Sequence, residues 1–321
     1  MGLAFCPKKK QKKENILINL TLSRFDDLVQ PADRWIVTTQ SLQTAMKDAV
    51  DPSVRVLAEP AGRNTAPCVY WAAQEIAKTN PKAVMMVMPA DHFMSRVSDF
   101  KKTLKEAAEW ARTHDDLVTL GVAPDRPETG YGYLRTGSQL GGACRKVEAF
   151  VEKPNLDNAK KFVKEGNYLW NGGMFLWRAE VILKAFDEYM PEMKKAWQSS
   201  GGDVTKAYPQ MTATSIDYGV MEKAKNVVTF PLDCGWDDIG SWTSLENLAD
   251  VLQARHEAGT VTGGEVMAIE SQGNIVDMPG HVVALLGVNN LIVVEHGDTI
   301  MIAHKDRAQD IKLLVEKAKK E

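Results

Sequence analysis

The chain has 321 residues, 44% of them apolar and 25% charged, and its net charge is −3. That composition suits a soluble globular protein with a sizeable core, divided into one large and one small domain. It supplies no global positive field to draw in nucleic acid, and no stretch reaches the roughly 20 apolar residues that span a bilayer.

The chain opens with Met1-Gly2-Leu3-Ala4-Phe5-Cys6, Pro7 and the cluster Lys8-Lys9-Lys10-Gln11-Lys12-Lys13, read as a solvated basic tail. Cys6 stands where an acylation pattern wants Ser or Thr, so no membrane anchor is expected. Helical spacing over 16–28 precedes a strand at 35–39 and a helix at 41–49, with Ser41 as its N-cap. A strand at 54–58, a helix at 68–78, a strand at 83–88, an amphipathic helix at 99–114 and a strand at 117–122 follow. Strands separated by helical patterns suggest parallel βαβ units. Beyond residue 125 or so, strands at 131–135 and 146–151 flank a turn at Gly141-Gly142, and helices return at 156–165 and 179–189. From about residue 260 the chain is β-rich, with strands at 274–276, 281–286 and 291–295 and a closing helix at 306–320. The expected division is a domain over 1–250 and a β-rich domain over 251–321. Cys6, Cys68, Cys144 and Cys234 form no C-x-x-C pair, which excludes a zinc or disulfide framework and fits a reducing cytosol.

Six segments carry chemistry. Val84-Met85-Met86-Val87-Met88 reads as a central parallel strand buried on both faces, running into Pro89-Ala90-Asp91-His92. Ligands gather beyond the carboxyl ends of such strands, where Asp91 suits Mg²⁺ or a cap near Ser95 equally well. His92 is expected to be structural or to act behind the ligands. Glu152-Lys153-Pro154 ends a strand with an acid to accept sugar hydroxyls and a cation for a sugar phosphate. Strand alternation would point the two side chains apart unless the chain twists; an exposed ion pair is the plainer alternative. Trp170-Asn171-Gly172-Gly173-Met174-Phe175 reads as a ligand-approaching backbone or as a turn between helix and strand. In Trp236-Asp237-Asp238-Ile239-Gly240 one carboxylate can complete a cation site with Asp91, and either can cap a following helix. Glu59-Pro60 and Arg63-Asn64-Thr65, just past a strand, offer polar groups for a base edge. Glu128-Thr129-Gly130-Tyr131-Gly132-Tyr133 offers close approach to a sugar.

Together, and in this order, MPADH, ETGYGY, EKP, WNGGMF, SIDYGVME (Ser215–Glu222), GWDDIGSW, AEPAGRNTAP and HKDRAQDIKLLVEK (His304–Lys317) resemble the mannose-1-phosphate guanylyltransferases of the bacterial single-function type. The resemblance covers about residues 16 to 321. It implies an α/β, GT-A-like and Rossmann-like nucleotide-diphospho-sugar transferase fold. That fold has a mixed, mostly parallel sheet and a small C-terminal β-helix-like domain. It implies synthesis of GDP-mannose and pyrophosphate from GTP and α-D-mannose 1-phosphate with Mg²⁺. Beside it, the cysteine usage sets the expected location as cytoplasmic, and a homodimer is the candidate assembly. On the family pattern Asp91 and Asp238 hold the cation and Lys153 binds the sugar phosphate. Glu152, Asn171, Gly130 and Tyr131 lie at the mannose, and Glu59, Asn64 and Thr65 near the guanine.

The family pattern begins with a strand and a loop like G-G-x-G-x-R-x-W-P, where this chain has MGLAFCPKKKQKKENILINL. Poor nucleotidyl transfer by the chain as written is therefore expected. The alternatives are a non-catalytic sugar-nucleotide-binding or regulatory paralogue, and an enzyme for another base or hexose. No G-x-G-x-x-G follows a first strand, which argues against a dinucleotide-dependent dehydrogenase.

Overall fold

A computed structural model describes residues 17–250 and 252–318. The expectations placed on residues 1–16, including Cys6, the basic cluster and the departure from the family's opening loop, lie outside the described residues. The described residues pack as two compact units: Ile18–Ala90 with Arg96–Cys234, and Leu17 and Asp91–Ser95 with 235–250 and 252–318. The composition-based division at residue 250 falls inside the second of these.

In the larger unit α1 (Leu17–Ser23) leads to β1 (Trp35–Thr39), α2 (Gln43–Ala49) and β2 (Arg55–Glu59). β1 and β2 pair in parallel as a two-stranded sheet. Ser41 does not cap α2. Gln40–Leu42 forms a 3₁₀ turn, and the Ser41 hydroxyl lies 3.0 Å from that of Thr39. α3 (Thr65–Thr79) starts three residues earlier than expected because Asn64 caps it, accepting from the Thr65 N–H.

β3 (Val84–Val87) is followed by β4 (Phe93–Met94), which belongs to the other unit, and by α4 (Val97–Thr113). β5 (Leu117–Val122), β6 (Tyr133–Gly141), β7 (Cys144–Val151), α5 (Leu156–Glu165) and β8 (Tyr168–Arg178) come next. α5 has the expected bounds, and the structure sets them with an Asn155 cap and with Gly166 at φ 71°. α6 (Ala179–Tyr189), α7 (Pro191–Ser199), α8 (Val204–Ala207), a π-turn at Asp217–Met221 and β9 (Val227–Leu232) complete the unit.

Six strands form a mixed sheet in the order β3-β8-β5-β9-β7-β6. Two expectations change here. The sheet is mixed but not mostly parallel: β5–β9 is its parallel pair, and β8 runs antiparallel to β3, β5 and β6. The β6–β7 hairpin and the inserted β8 reverse the chain within the sheet. β3 is not central and parallel either. It ends the strand order, pairs antiparallel with β8, and buries only Met85 fully. The strand buried throughout is β5. Around it, Tyr70, Trp177, Phe186, Tyr208 and Met193 build the main core.

In the smaller unit β4 pairs antiparallel with β10 (Trp236–Asp237), and α9 (Leu245–Leu248) follows. β11 (Arg255–His256), β12 (Gly259–Ile269), β13 (Asn274–Leu286), β14 (Leu291–His296), β15 (Thr299–His304) and α10 (Ile311–Ala318) close it. β12, β13 and β14 pair in parallel although only Glu270–Gly273 and Gly287–Asn290 join them. Flat parallel neighbours need a crossover of about a dozen residues or more. Such short corners therefore make the chain coil on itself as a β-helix, with Glu270, Gly273, Gly287 and Asn290 all at positive φ. Val276, Met278, Leu285 and Val293 fill it.

Candidate active site

The larger unit brings three of the singled-out segments together around Gly132. The Lys153 N–H donates to the Tyr131 carbonyl at 3.2 Å, and the Asn171 N–H to the Gly132 carbonyl at 2.8 Å. The Gly130–Gly132 backbone is thus held between the end of β7 and the middle of β8. Glu128 folds under it, its carboxylate accepting from the Gly130 N–H at 3.0 Å. The Tyr131 ring packs edge-on against Trp170, 5.1 Å between centroids, and the Arg126 guanidinium lies 5.1 Å over Trp170. A methyl group on Gly132 would come within 2.4 Å of Glu152 Oε2, so the carboxylate sits directly against the glycine.

Glu152 and Lys153 lie just past β7, and strand alternation no longer governs them. Lys153 takes φ 48°, an uncommon value for a residue with a Cβ. That twist brings Lys153 Nζ to 3.5 Å from Glu152 Oε1. The Lys153 side chain stays 61% exposed and that of Glu152 only 14%. Burial raises the Glu152 carboxyl above its ordinary value, and the nearby Asp217 adds to the effect.

The segment 170–175 is not a turn. It runs inside β8, where the ladder with β5 slips between Thr119 and Gly121 and Gly173 takes φ 63°. Asn171 Nδ2 donates to Asp217 Oδ1 at 2.8 Å, and Asn171 Oδ1 accepts from the Gly173 N–H at 3.2 Å. Asp217 was missed as a site residue, whereas Gly132 lies in the segment read as approaching a sugar. Asp217 lies in the quoted SIDYGVME segment, and a polar residue opening an apolar helical turn was its signal. Burial raises its carboxyl, although the Asn171 hydrogen bond opposes the shift.

The Glu59–Thr65 loop is fastened to residues 208–216. The buried Tyr208 hydroxyl donates to Glu59, Arg63 Nη1 donates to the Met211 carbonyl at 2.9 Å, and Thr65 Oγ1 accepts from the Ile216 N–H at 2.9 Å. Asn64, at φ 64°, spends its side-chain oxygen on the cap of α3.

In the smaller unit the β4–β10 ladder sets Phe93 opposite Asp237 and Met94 opposite Trp236. Asp91, two residues before Phe93, and Asp238, one after Asp237, therefore flank the same end of a two-residue ladder. His92 Nδ1 accepts from the Trp236 indole N–H at 3.0 Å, which gives His92 a structural partner. The two acidic neighbours differ. Asp237 is buried and accepts from the Ile239 N–H at 2.7 Å; Asp238 is half-buried and accepts from the Gly240 N–H at 3.0 Å. Neither caps α9, which begins at Leu245 after a 3₁₀ turn. Among the described residues no group of three or more His, Cys, Asp or Glu is arranged to hold a metal ion. Two hard carboxylates fit Mg²⁺, which takes one or two of them and fills its sphere with water and phosphate oxygens. Burial pushes the Cys68, Cys144 and Cys234 thiols up to about 12, and none of the three forms a disulfide.

A glycine-lined loop, a strand-end Lys and Glu, and a bulged Asn strand thus stand together on a mixed α/β sheet. The chain belongs to the nucleotidyl transferase family, whose model matches residues 10–255. A MannoseP isomerase/GMP-like beta-helix domain matches residues 264–318. The chain is 36% identical to xanthan biosynthesis protein XanB of Xanthomonas campestris pv. campestris (strain B100), over 89% of its own length and 61% of the relative's. It is 37% identical to a mannose-1-phosphate guanylyltransferase of Salmonella montevideo, over 90% of its length and 62% of the relative's. The chain thus spans about three fifths of the length of these curated relatives. The crystal structure of mannose-1-phosphate geranyltransferase from Thermus thermophilus superposes with a TM-score of 0.84 at 32% identity, covering 94% of this chain and 89% of that one.

Proposed function

We propose that this chain joins GTP and α-D-mannose 1-phosphate to give GDP-mannose and pyrophosphate. The observation that carries the reading is the convergence of Glu152, Lys153 and Asn171 on Gly132, in a chain whose relatives include mannose-1-phosphate guanylyltransferases. An oxygen of mannose 1-phosphate forms the new bond to the α-phosphorus of GTP. The bond from that phosphorus to the bridging oxygen breaks, and pyrophosphate leaves with the electron pair. A phosphate monoester is already a competent nucleophile, so no protein base is required, and the chain contributes position and charge. Lys153 holds the sugar phosphate as a mobile, exposed cation. Glu152 and Asn171 take the mannose hydroxyls, with Gly130 and Tyr131 closing over the ring. Glu59, Asn64 and Thr65 belong to the loop that reads the guanine. Asp91 and Asp238 would hold Mg²⁺, which when bound neutralises negative charge on the phosphates.

The site would work in the cytoplasm, in line with three cysteines that form no disulfide. Among the described residues no helix is long and apolar enough to cross a membrane. A second copy of the chain is the expected protein partner. Exposed Met267, Ile269, Leu286 and Ile302 on the β-helix support pairing there. The test is pyrophosphate release from GTP by the purified chain. Release that requires both mannose 1-phosphate and Mg²⁺ supports the reading; release indifferent to the sugar phosphate contradicts it.

A further inference from the structure

We infer that Asp217 is a positioning residue that sets the orientation of the Asn171 amide, and so presents one Asn171 N–H to the sugar; the inference rests on the function proposed above. A side-chain amide has nearly the same shape when flipped, so its surroundings must choose which end is the donor. Here Asn171 Nδ2 donates to Asp217 Oδ1 at 2.8 Å, while Asn171 Oδ1 accepts from the Gly173 N–H at 3.2 Å and from Thr119 Oγ1 at 3.4 Å. A flip would set NH₂ against the Gly173 N–H and an oxygen against a carboxylate. Asp217 supplies the carboxyl of that set. It occupies one Nδ2 hydrogen and leaves the second for a ligand, on a side chain whose Cβ stands beside Gly132.

Asp217 is itself firmly placed. It opens the π-turn Asp217–Met221, a geometry that recurs at functional sites. The residues before it are tied to the start of α3, through Thr65 Oγ1 accepting from the Ile216 N–H and the Thr214 carbonyl accepting from the Ala66 N–H at 3.0 Å. One short segment therefore links the loop assigned to the base with the strand assigned to the sugar.

The test uses Asp217→Leu and Asp217→Asn in the full chain. Calorimetry measures mannose 1-phosphate and GTP separately, and nitrogen-15 spectra follow the Asn171 side-chain amide. A hydrogen bond to a charged group is strong enough that D217L should weaken mannose 1-phosphate by about ten- to a hundredfold. GTP should change by less than about twofold on the same argument, because its contacts do not run through Asn171. D217N keeps an acceptor oxygen and should restore most of the loss. An equal loss for both ligands, or no loss for either, overturns the inference. If the wild type binds no mannose 1-phosphate, the proposed function fails. The Asn171 signal then decides this inference alone: a shift in D217L supports it and an unchanged signal overturns it. If D217L does not fold, the Asn171 signal in D217N decides in the same way.

Discussion

Asp237 lies opposite Phe93 across the two-residue ladder of β4 and β10, and that single pairing brings the chain positions of Asp91 and Asp238 to one end of the ladder. If the two aspartates share a cation, Asp91→Asn and Asp238→Asn should each remove the Mg²⁺-dependent part of GDP-mannose binding. A loss of about tenfold or more in Mg²⁺, with little change in its absence, is expected for one lost metal carboxylate. Calorimetry with and without the metal reads it. Equal affinities of wild type and either variant in Mg²⁺ would remove that residue from the metal site.

Gly132→Ala should act on the sugar side alone. The added methyl would meet Glu152 Oε2 at 2.4 Å and the Asn171 Cβ at 3.3 Å, so Glu152 must move. The affinity for mannose 1-phosphate should fall by about tenfold, the scale of one or two lost hydrogen bonds, with GTP affinity kept. Intact mannose 1-phosphate binding in G132A would show that Glu152 does not touch the sugar.

The Glu152 carboxyl is raised by burial first and by Asp217 second. The folded chain therefore still holds a proton in the window just above the ordinary carboxylate value of about 4, where the unfolded chain has released it. Stability falls as pH rises through that window, and the penalty is complete above the raised value. The opposing ion pair with Lys153 reaches 3.5 Å but involves a largely exposed lysine, so it contributes little. Glu152→Gln should accordingly raise the thermal midpoint at about pH 7.5 and leave it unchanged near pH 3.5. A lowered midpoint at neutral pH would mean that the ion pair outweighs burial.

Tyr208 is fully buried and donates its hydroxyl to Glu59, and burial with that carboxylate beside it raises the phenol well above its ordinary value. It remains a donor at every working pH. Tyr208→Phe leaves the Glu59 carboxylate short of its partner, and about 1–3 kcal/mol of stability should be lost in urea unfolding. A midpoint equal to that of the wild type would show that water replaces the phenol.

Local signals were legible wherever the chain speaks to its immediate neighbours. β1, β5, α5 and α6 fall where periodicity sets them. The failures involve partners far away in sequence. β3 reads as a central strand from its own apolar run, yet its neighbour is β8, some ninety residues on, and it runs antiparallel. Gly172-Gly173 looks like a turn because glycine signals breaks, but a bulged ladder tolerates it inside β8. At the site, Glu152, Lys153 and Asn171 carried enough chemistry to be named, and their gathering at Gly132 needed the backbone bonds to Tyr131 and Gly132. Asp217 was passed over because its partner, Asn171, lies 46 residues earlier in the chain.

The most direct test of the account is equilibrium binding of GDP-mannose to the purified chain in Mg²⁺, set beside UDP-glucose under the same conditions. Metal-dependent binding of GDP-mannose, tighter than UDP-glucose by about tenfold or more, is the predicted result. Equal affinity for the two, or none for GDP-mannose, would contradict it.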